Sequence, residues 1–265
     1  MTPLRAHIEG VSLWAPFMPG WAVAGEVLSG RLAPVQPPCP IPPPARLPPA
    51  ERRRAPQTVA LALAAAEEAV AASGRDPGSL LAVFASTHGD LPVIDDLCRT
   101  LVHTPTLVSP TRFLHSIHNA PAGFWSQLNR NGHAHTAVSG AACSFAQGLL
   151  EALVQCEAEQ QPVLYVAYDT AAVGALTHTT ASESALAVAL VLAPHGDGHP
   201  NASLTATVTS QPVPPPEPQC AQPLPLQRNA MAAALPLFEW LARGEAAEGA
   251  WPLGTHQSLS LRYRP

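Results

Sequence analysis

The chain has 265 residues, is 47% hydrophobic and only 12% charged, and carries a formal net charge of -5. An average soluble domain is about 25% charged. This chain is apolar enough to fill a sizeable core, which excludes a long disordered protein. It has no basic excess for a nucleic-acid partner, and because all 14 of its basic residues are arginine, chemistry that needs a lysine is excluded.

Met1 to Gly10 holds charges and no apolar run, which predicts no signal peptide. Arg5–Leu13 reads as a strand. Prolines then crowd residues 34–49, an extended stretch unfit for helix or central strand. Pro56–Ser73 is an alanine-rich helix stopped at Ser73-Gly74. Leu80–Ser86 is a short buried strand, and Leu91–Leu101 a helix. A helix follows over Pro121–Asn129, its proline suited to a first turn. His135–Ser139 is strand-like and Phe145–Glu159 a long apolar helix. Pro162–Tyr168 and Ser184–Leu192 are apolar strands, the second buried on both faces. Ser203–Thr209 is a β-branched edge candidate. A second proline cluster covers 212–225, then a helix at Ala230–Ala242 and a last strand at Gln257–Tyr263. Strands alternating with helices, with continuous apolar strands, imply α/β layering. Both proline clusters are read as surface arms of one domain spanning 1–265, because neither flank can supply a core of its own. The longest apolar stretch, Ala181–Pro194, is too short for a membrane span of about 20 residues, so a cytoplasmic protein is expected.

The five cysteines, Cys39, Cys98, Cys143, Cys156 and Cys220, have no CxxC spacing and read as reduced thiols. All but Cys143 are expected to be small buried apolar residues. Nucleotide loops and GxSxG are missing. His133 and His135 form an HxH pair without a third ligand at a recognised spacing, so no metal is expected. His195, Asp197 and His199 read as solvated loop residues. No cofactor is expected.

The informative stretch is residues 109–152. A Ser-Pro turn leads to a helix beginning near Asn119, then to a polar turn and a short strand. A small-residue turn, Ser139–Ala142, opens the long helix. A thiol at such a strand-to-helix turn meets the helix N-terminus, which lowers its pKa. Cys143 is therefore a candidate nucleophile.

This stretch resembles the β-ketoacyl synthases of the thiolase superfamily. More closely, it resembles the shortened chain-length-factor-like proteins of aryl polyene and related type II polyketide pathways. The resemblance rests on Leu47–Arg54, on Val83–Ser86 followed by Gly89, and above all on Ser109–Thr111, Phe113, His115-Ser116 and His118–Gly123. It implies a thiolase-like layered fold, helices packed on a mixed β-sheet, truncated in its second half. Residues 201–265 are expected to rebuild part of a second sheet.

The same resemblance bears on the thiol. The gap-free register places Ala142 at the family's nucleophile position and Cys143 one place late. Small residues expected six and ten places on then fall on Gly148 and Ala152. A local match with an upstream insertion keeps Cys143 as the alternative nucleophile. Active members also use two histidines from the second half and a nearby lysine. This chain has no lysine, and beyond Leu192 only His195, His199 and His256, none in a matching context. The resemblance therefore implies a non-catalytic subunit paired with an active β-ketoacyl synthase. It implies that an acyl carrier protein reaches this chain through that complex. It also places Phe113, Leu114, Ile117, Phe124, Trp125, Thr136, Val138 and Ser139 at the subunit interface or acyl tunnel. The alternatives are an active condensing enzyme or acyltransferase using Cys143, and a homodimeric scaffold with no tunnel.

Overall fold

In the computed structural model, which describes residues 3–44, 46–196, 202–220 and 222–265, nine strands form one mixed sheet. In chain order the strands are β1 Leu4–Ala15, β2 Met18–Pro19, β3 Leu81–Ala85, β4 His135–Val138 and β5 Val163–Asp169. They continue with β6 Leu186–Pro194, β7 Ser203–Thr209, β8 Ala247–Pro252 and β9 Ser258–Arg264. The sheet order is β4-β3-β5-β6-β1-β7-β9-β8, with β2 hooked onto the end of β1. β4, β3 and β5 are mutually parallel, and every other pairing is antiparallel.

Side chains alternate across a strand, and here both faces are covered. Val163, Tyr165 and Ala167 of β5 point into one apolar layer, and Leu164, Val166 and Tyr168 into the other. β6 divides the same way, Leu186, Val188, Leu190 and Leu192 against Ala187, Ala189 and Val191. The first layer is closed by α1 Trp21–Leu28, α7 Ser144–Glu159 and α9 Leu235–Arg243. The second is closed by α3 Gln57–Ser73 and α6 Ala120–Asn129. The remaining helices are α2 Pro49–Arg52, α4 Leu91–His103, α5 Pro110–His115 and α8 Leu224–Gln227.

Two glycines set how closely helices approach the sheet. A Cβ at Gly10 of β1 would lie 2.0 Å from the Ala69 carbonyl oxygen, so α3 rests on bare backbone there. A Cβ at Gly148 of α7 would lie 2.6 Å from the Ala85 Cβ and 2.9 Å from Tyr165 Cε2. The Tyr165 hydroxyl donates to the Phe145 carbonyl at 2.6 Å, tying the same helix to β5.

Several expectations are corrected. Ser203–Thr209 is no edge. It lies between β1 and β9, and the edge on that side is Ala247–Pro252, a segment with no strand signal of its own. Among the described residues beyond 201 no second sheet forms; β7, β9 and β8 extend the first. The helix expected from Ala230 starts at Leu235, after a 3-10 turn at Ala232–Ala234. Trp21–Leu28 is helical although its sequence is unremarkable. The Trp21 N–H donates to Glu68 Oε1 at 2.8 Å, so α3 holds its first turn. Of the cysteines only Cys156 is buried; Cys98 is exposed and Cys39, Cys143 and Cys220 lie half-buried. All five are free thiols. His133 precedes β4 instead of sharing it with His135. Asp197 and His199 lie outside the described residues. No helix among the described residues is long and apolar enough to cross a membrane.

Candidate functional site

Parallel strands gather loops at their C-terminal ends, and ligands of open α/β sheets bind there. β3, β4 and β5 end side by side at Ala85, Val138 and Asp169. Three loops leave them, residues 86–90, 139–143 and 170–182.

Asp169 organises these loops. It is fully buried, and its Oδ1 accepts from Ser86 Oγ at 2.8 Å and from the His88 N–H at 3.2 Å. Its Oδ2 accepts from the Thr87 N–H at 2.8 Å. Burial raises its carboxyl above the ordinary range, against the pull of these hydrogen bonds. The loop so fixed reaches β4. Thr87 Oγ1 donates to the Ala141 carbonyl at 3.2 Å, and Ser139 Oγ donates to the Thr87 carbonyl at 3.2 Å. On the far side, Asn229 Nδ2 lies within hydrogen-bond range of the carbonyls of Asp169, Glu183 and Ser184. The histidine ring of His88 meets Thr180 Oγ1 at 2.8 Å.

The turn between β4 and α7 is an elbow. Ala141 has φ 50°, a left-handed backbone that side chains rarely adopt. Its carbonyl also accepts from Ser144 Oγ at 2.7 Å, while that same oxygen accepts from the Gly140 N–H at 3.0 Å. The elbow faces a cleft of about 550 Å³. Thr87, His88, Ser139, Ala141, Ala142 and Arg228 are among its lining residues. Cys143 is not. It follows the elbow, half-buried, and burial pushes its thiol up, opposite to what a nucleophile needs at pH 7. Ala142 is exposed on the cleft wall. Gly148, six places on, is the helix position with no room for a side chain.

The other expected residues separate into two groups. Phe113 (60% exposed), Leu114 (61%) and Ile117 (44%) stand in solvent. Leu101, Val102 and Leu107 on neighbouring turns are exposed as well. Thr136, Val138 and Ser139 belong to or follow β4, whose outer edge has no strand partner among the described residues. Phe124 is half-buried, its ring 5.9 Å from that of His115. Trp125 is instead buried in the layer beneath α3.

Next to the exposed apolar side chains of α5 lies a second cleft, of about 490 Å³. Arg53, Arg54, Gln57, Asp90, Arg112 and His115 help to line it. Arg112 pairs with Asp96 at 2.6 Å. Among the described residues Arg53 and Arg54 have no ion-pair partner. Asp90 is buried and occupied, accepting from Thr58 Oγ1 and from the N–H groups of Thr58 and Val93. No group of three or more metal-ligating side chains gathers among the described residues.

A nine-stranded layered sheet with an elbow leading into a glycine-packed helix defines a thiolase-like protein. The chain belongs to the β-ketoacyl synthase family, whose N-terminal domain model matches residues 30–251. It is similar in structure to a chain of the ketosynthase ApeO in complex with its chain length factor ApeC from Xenorhabdus doucetiae. There the TM-score is 0.74 at 22% identity, covering 98% of this chain and 99% of that one. It is also similar to a chain of the ishigamide ketosynthase/chain length factor, with TM-score 0.73, 17% identity, and coverage of 100% and 99%. A third similar structure is the AntDE:AntF assembly, a type II polyketide carrier protein in complex with its ketosynthase. Its TM-score is 0.72 at 11% identity, covering 99% of each chain. No curated protein sequence matches this chain. The mixed sheet with helices on both faces is thus the ketosynthase fold, in a chain as short as the first of these neighbours.

Asp169, His88 and Asn229 were not singled out from the sequence. The one available signal was a carboxylate closing an otherwise apolar strand, Val163–Asp169.

Proposed function

We propose that this chain is a non-catalytic, chain-length-factor-like subunit. It pairs with an active β-ketoacyl synthase and shapes the acyl tunnel while a carrier-protein-bound polyene, polyketide or fatty acyl chain is extended. The observation that carries this reading is the elbow: the cleft is lined by Ala141 and Ala142, while the nearby thiol sits outside it with its pKa raised. A turn with a methyl group at its apex can position a neighbour's acyl chain but forms no thioester.

The pairing surface proposed combines the open edge of β4 with the exposed side chains of Phe113, Leu114 and Ile117. An unpaired edge offers backbone hydrogen bonds, and exposed aromatic and branched side chains suit an interface core. Thr136, Val138 and Ser139 lie on or just after β4, and Phe124 on α6, which packs against that strand. The arginine cleft adjoins α5, so in the pair it lies beside the seam between subunits. Unpaired guanidinium groups there suit the acidic surface of a carrier protein. The setting proposed is the cytoplasm.

The test is co-expression with an active β-ketoacyl synthase of a type II polyketide pathway, followed by light scattering and intact-mass analysis after exposure to an acyl donor. The expected result is a stable heterodimer acylated only on the ketosynthase, and its loss in Phe113→Glu/Leu114→Glu. Arg53→Glu/Arg54→Glu should leave the heterodimer intact and slow transfer from the carrier at least tenfold. Acyl mass on this chain that Cys143→Ala removes would instead make it an enzyme, and a stable homodimer that ignores the ketosynthase would make it a scaffold.

A further inference from the structure

One loop separates two clefts. The elbow cleft, of about 550 Å³, is walled in part by Thr179, Thr180, Ala181 and Ser182. A second cleft, of about 370 Å³, is lined by Ala171, Ala172 and Pro225, and again by Thr180, Ala181 and Ser182. Residues 180–182 thus border both spaces, and a single pass of chain stands between them.

The ends of this loop are fixed. The Ala172 N–H donates to the Ser182 carbonyl at 2.8 Å, and Ser182 Oγ donates to the Thr170 carbonyl at 2.9 Å. The span between is held differently. No residue from 171 to 181 is buried. Its 3-10 turn, Gly174–His178, bonds mainly within itself. The N–H groups of Leu176, Thr179 and Thr180 and the hydroxyls of Thr177 and Thr179 all donate to carbonyls of residues 173–176. Where the turn leans on α4 the contact is bare backbone. Gly174 has φ 56°, and a Cβ there would lie 2.3 Å from Asp95 Oδ1. Among the described residues, one hydrogen bond ties residues 173–181 to the rest: Thr180 Oγ1 to His88 Nε2, at 2.8 Å. His88 itself is anchored, because its N–H donates to Asp169 Oδ1. The segment is an internally stiff flap on a fixed stem, with one latch and little burial to hold it.

We infer that this flap is a gate. With the latch closed, residues 180–182 end the elbow cleft. When the Thr180 hydroxyl leaves His88, the flap swings and the two clefts join. The joined space admits a linear acyl chain too long for either cleft alone, past the small side chains of Ala171, Ala172 and Ala181. The acyl chain as occupant rests on the function proposed above; the flap and its latch do not. One hydrogen bond shifts such an equilibrium about fivefold, so the gate is closed without being locked.

The experiment uses the full chain with ¹³C-methyl alanine and threonine. Relaxation dispersion reads motion on the microsecond-to-millisecond scale of loop opening. Exchange is expected at the Ala181 and Thr180 methyls and not at Ala167, inside β5. His88→Ala, which keeps the backbone bond to Asp169, should raise the open population about fivefold. Thr180→Val, which keeps the shape and removes the hydroxyl, should do the same at Ala181. Butanoyl and decanoyl thioesters of N-acetylcysteamine are then titrated. The short one should shift Ala142 alone; the long one should shift Ala142 and Ala172 together. His88→Ala should tighten only the long one, about fivefold. Absence of exchange at Ala181 in the native chain and both variants overturns the gate. A decanoyl thioester that never shifts Ala172 overturns the joined passage, even where Ala181 moves. Neither reading depends on a ketosynthase, so failure of the pairing proposed above is seen separately, by light scattering.

Discussion

The two ends of the sheet are built on different terms. At one end β4, β3 and β5 run parallel, and their loops are held by side chains arriving from far along the chain. Ser86 and Asp169, 83 residues apart, meet in a buried hydrogen bond. At the other end β7, β9 and β8 run antiparallel and are held by ladder pairing and apolar burial, with Leu204, Leu259 and Leu261 at or near zero exposure. The parallel end carries a polar network that fixes the shape of a cleft. The antiparallel end carries mass and closes the core.

That contrast predicts where substitutions hurt and how. Asp169→Ala strips an acceptor from Ser86 Oγ and from two backbone N–H groups, each worth about 1–3 kcal/mol when left buried and unpaired. Unfolding in denaturant should show a loss above about 3 kcal/mol. Asp169→Asn, which keeps one acceptor oxygen, should recover part of it. If Asp169→Ala costs under about 1 kcal/mol, the network is ornamental and the comparison fails. Leu204→Ala, at the antiparallel end, should cost about 2–4 kcal/mol by cavity formation alone. It should leave binding to the ketosynthase partner proposed above unchanged in the fraction that folds. Trp251→Phe removes the indole donor to the Ala233 carbonyl, 2.7 Å away, and should cost about 1–2 kcal/mol. A smaller effect tests the layer between the two ends. Burial raises the Glu67 carboxyl above its ordinary 4.5. Relative to the unfolded chain, the folded state therefore holds this proton more tightly. Its contribution is full below pH 4.5 and lost as pH rises through the raised value. Stability against pH, measured by thermal melting, should fall more in the native chain than in Glu67→Gln across that window. A steeper fall in the variant reverses the sign and rejects the assignment.

The same contrast governs what was legible in the sequence. β5 and β6 are unbroken apolar runs, and α3 is an alanine-rich stretch ended by Gly74, whose left-handed φ of 68° stops the helix. Such elements declare themselves locally. β8, Ala-Glu-Gly-Ala-Trp-Pro, has no strand propensity worth the name; its pairing with β9 makes it one. α1 depends on a carboxylate from α3 for its first turn. At the site, the small-residue turn before the long helix was legible from its spacing. The network around Asp169 was not, because it joins three loops that the sequence keeps far apart. Burial of Trp125 beneath α3 was equally hidden, since an aromatic on α6 faces the partner or the core according to a rotation that only tertiary packing sets.

Ala141 has a further consequence. A left-handed backbone at a residue with a side chain costs about 1–2 kcal/mol, and such strain persists only where the surroundings over-determine it. Here two hydroxyl groups hold the carbonyl of that residue in place. Glycine would relax the peptide, yet alanine stands there. On the function proposed above, the bend serves as contour, a template edge against which another molecule's chemistry can be aligned. Ala141→Gly separates the two: it should raise the melting temperature while loosening whatever the contour aligns.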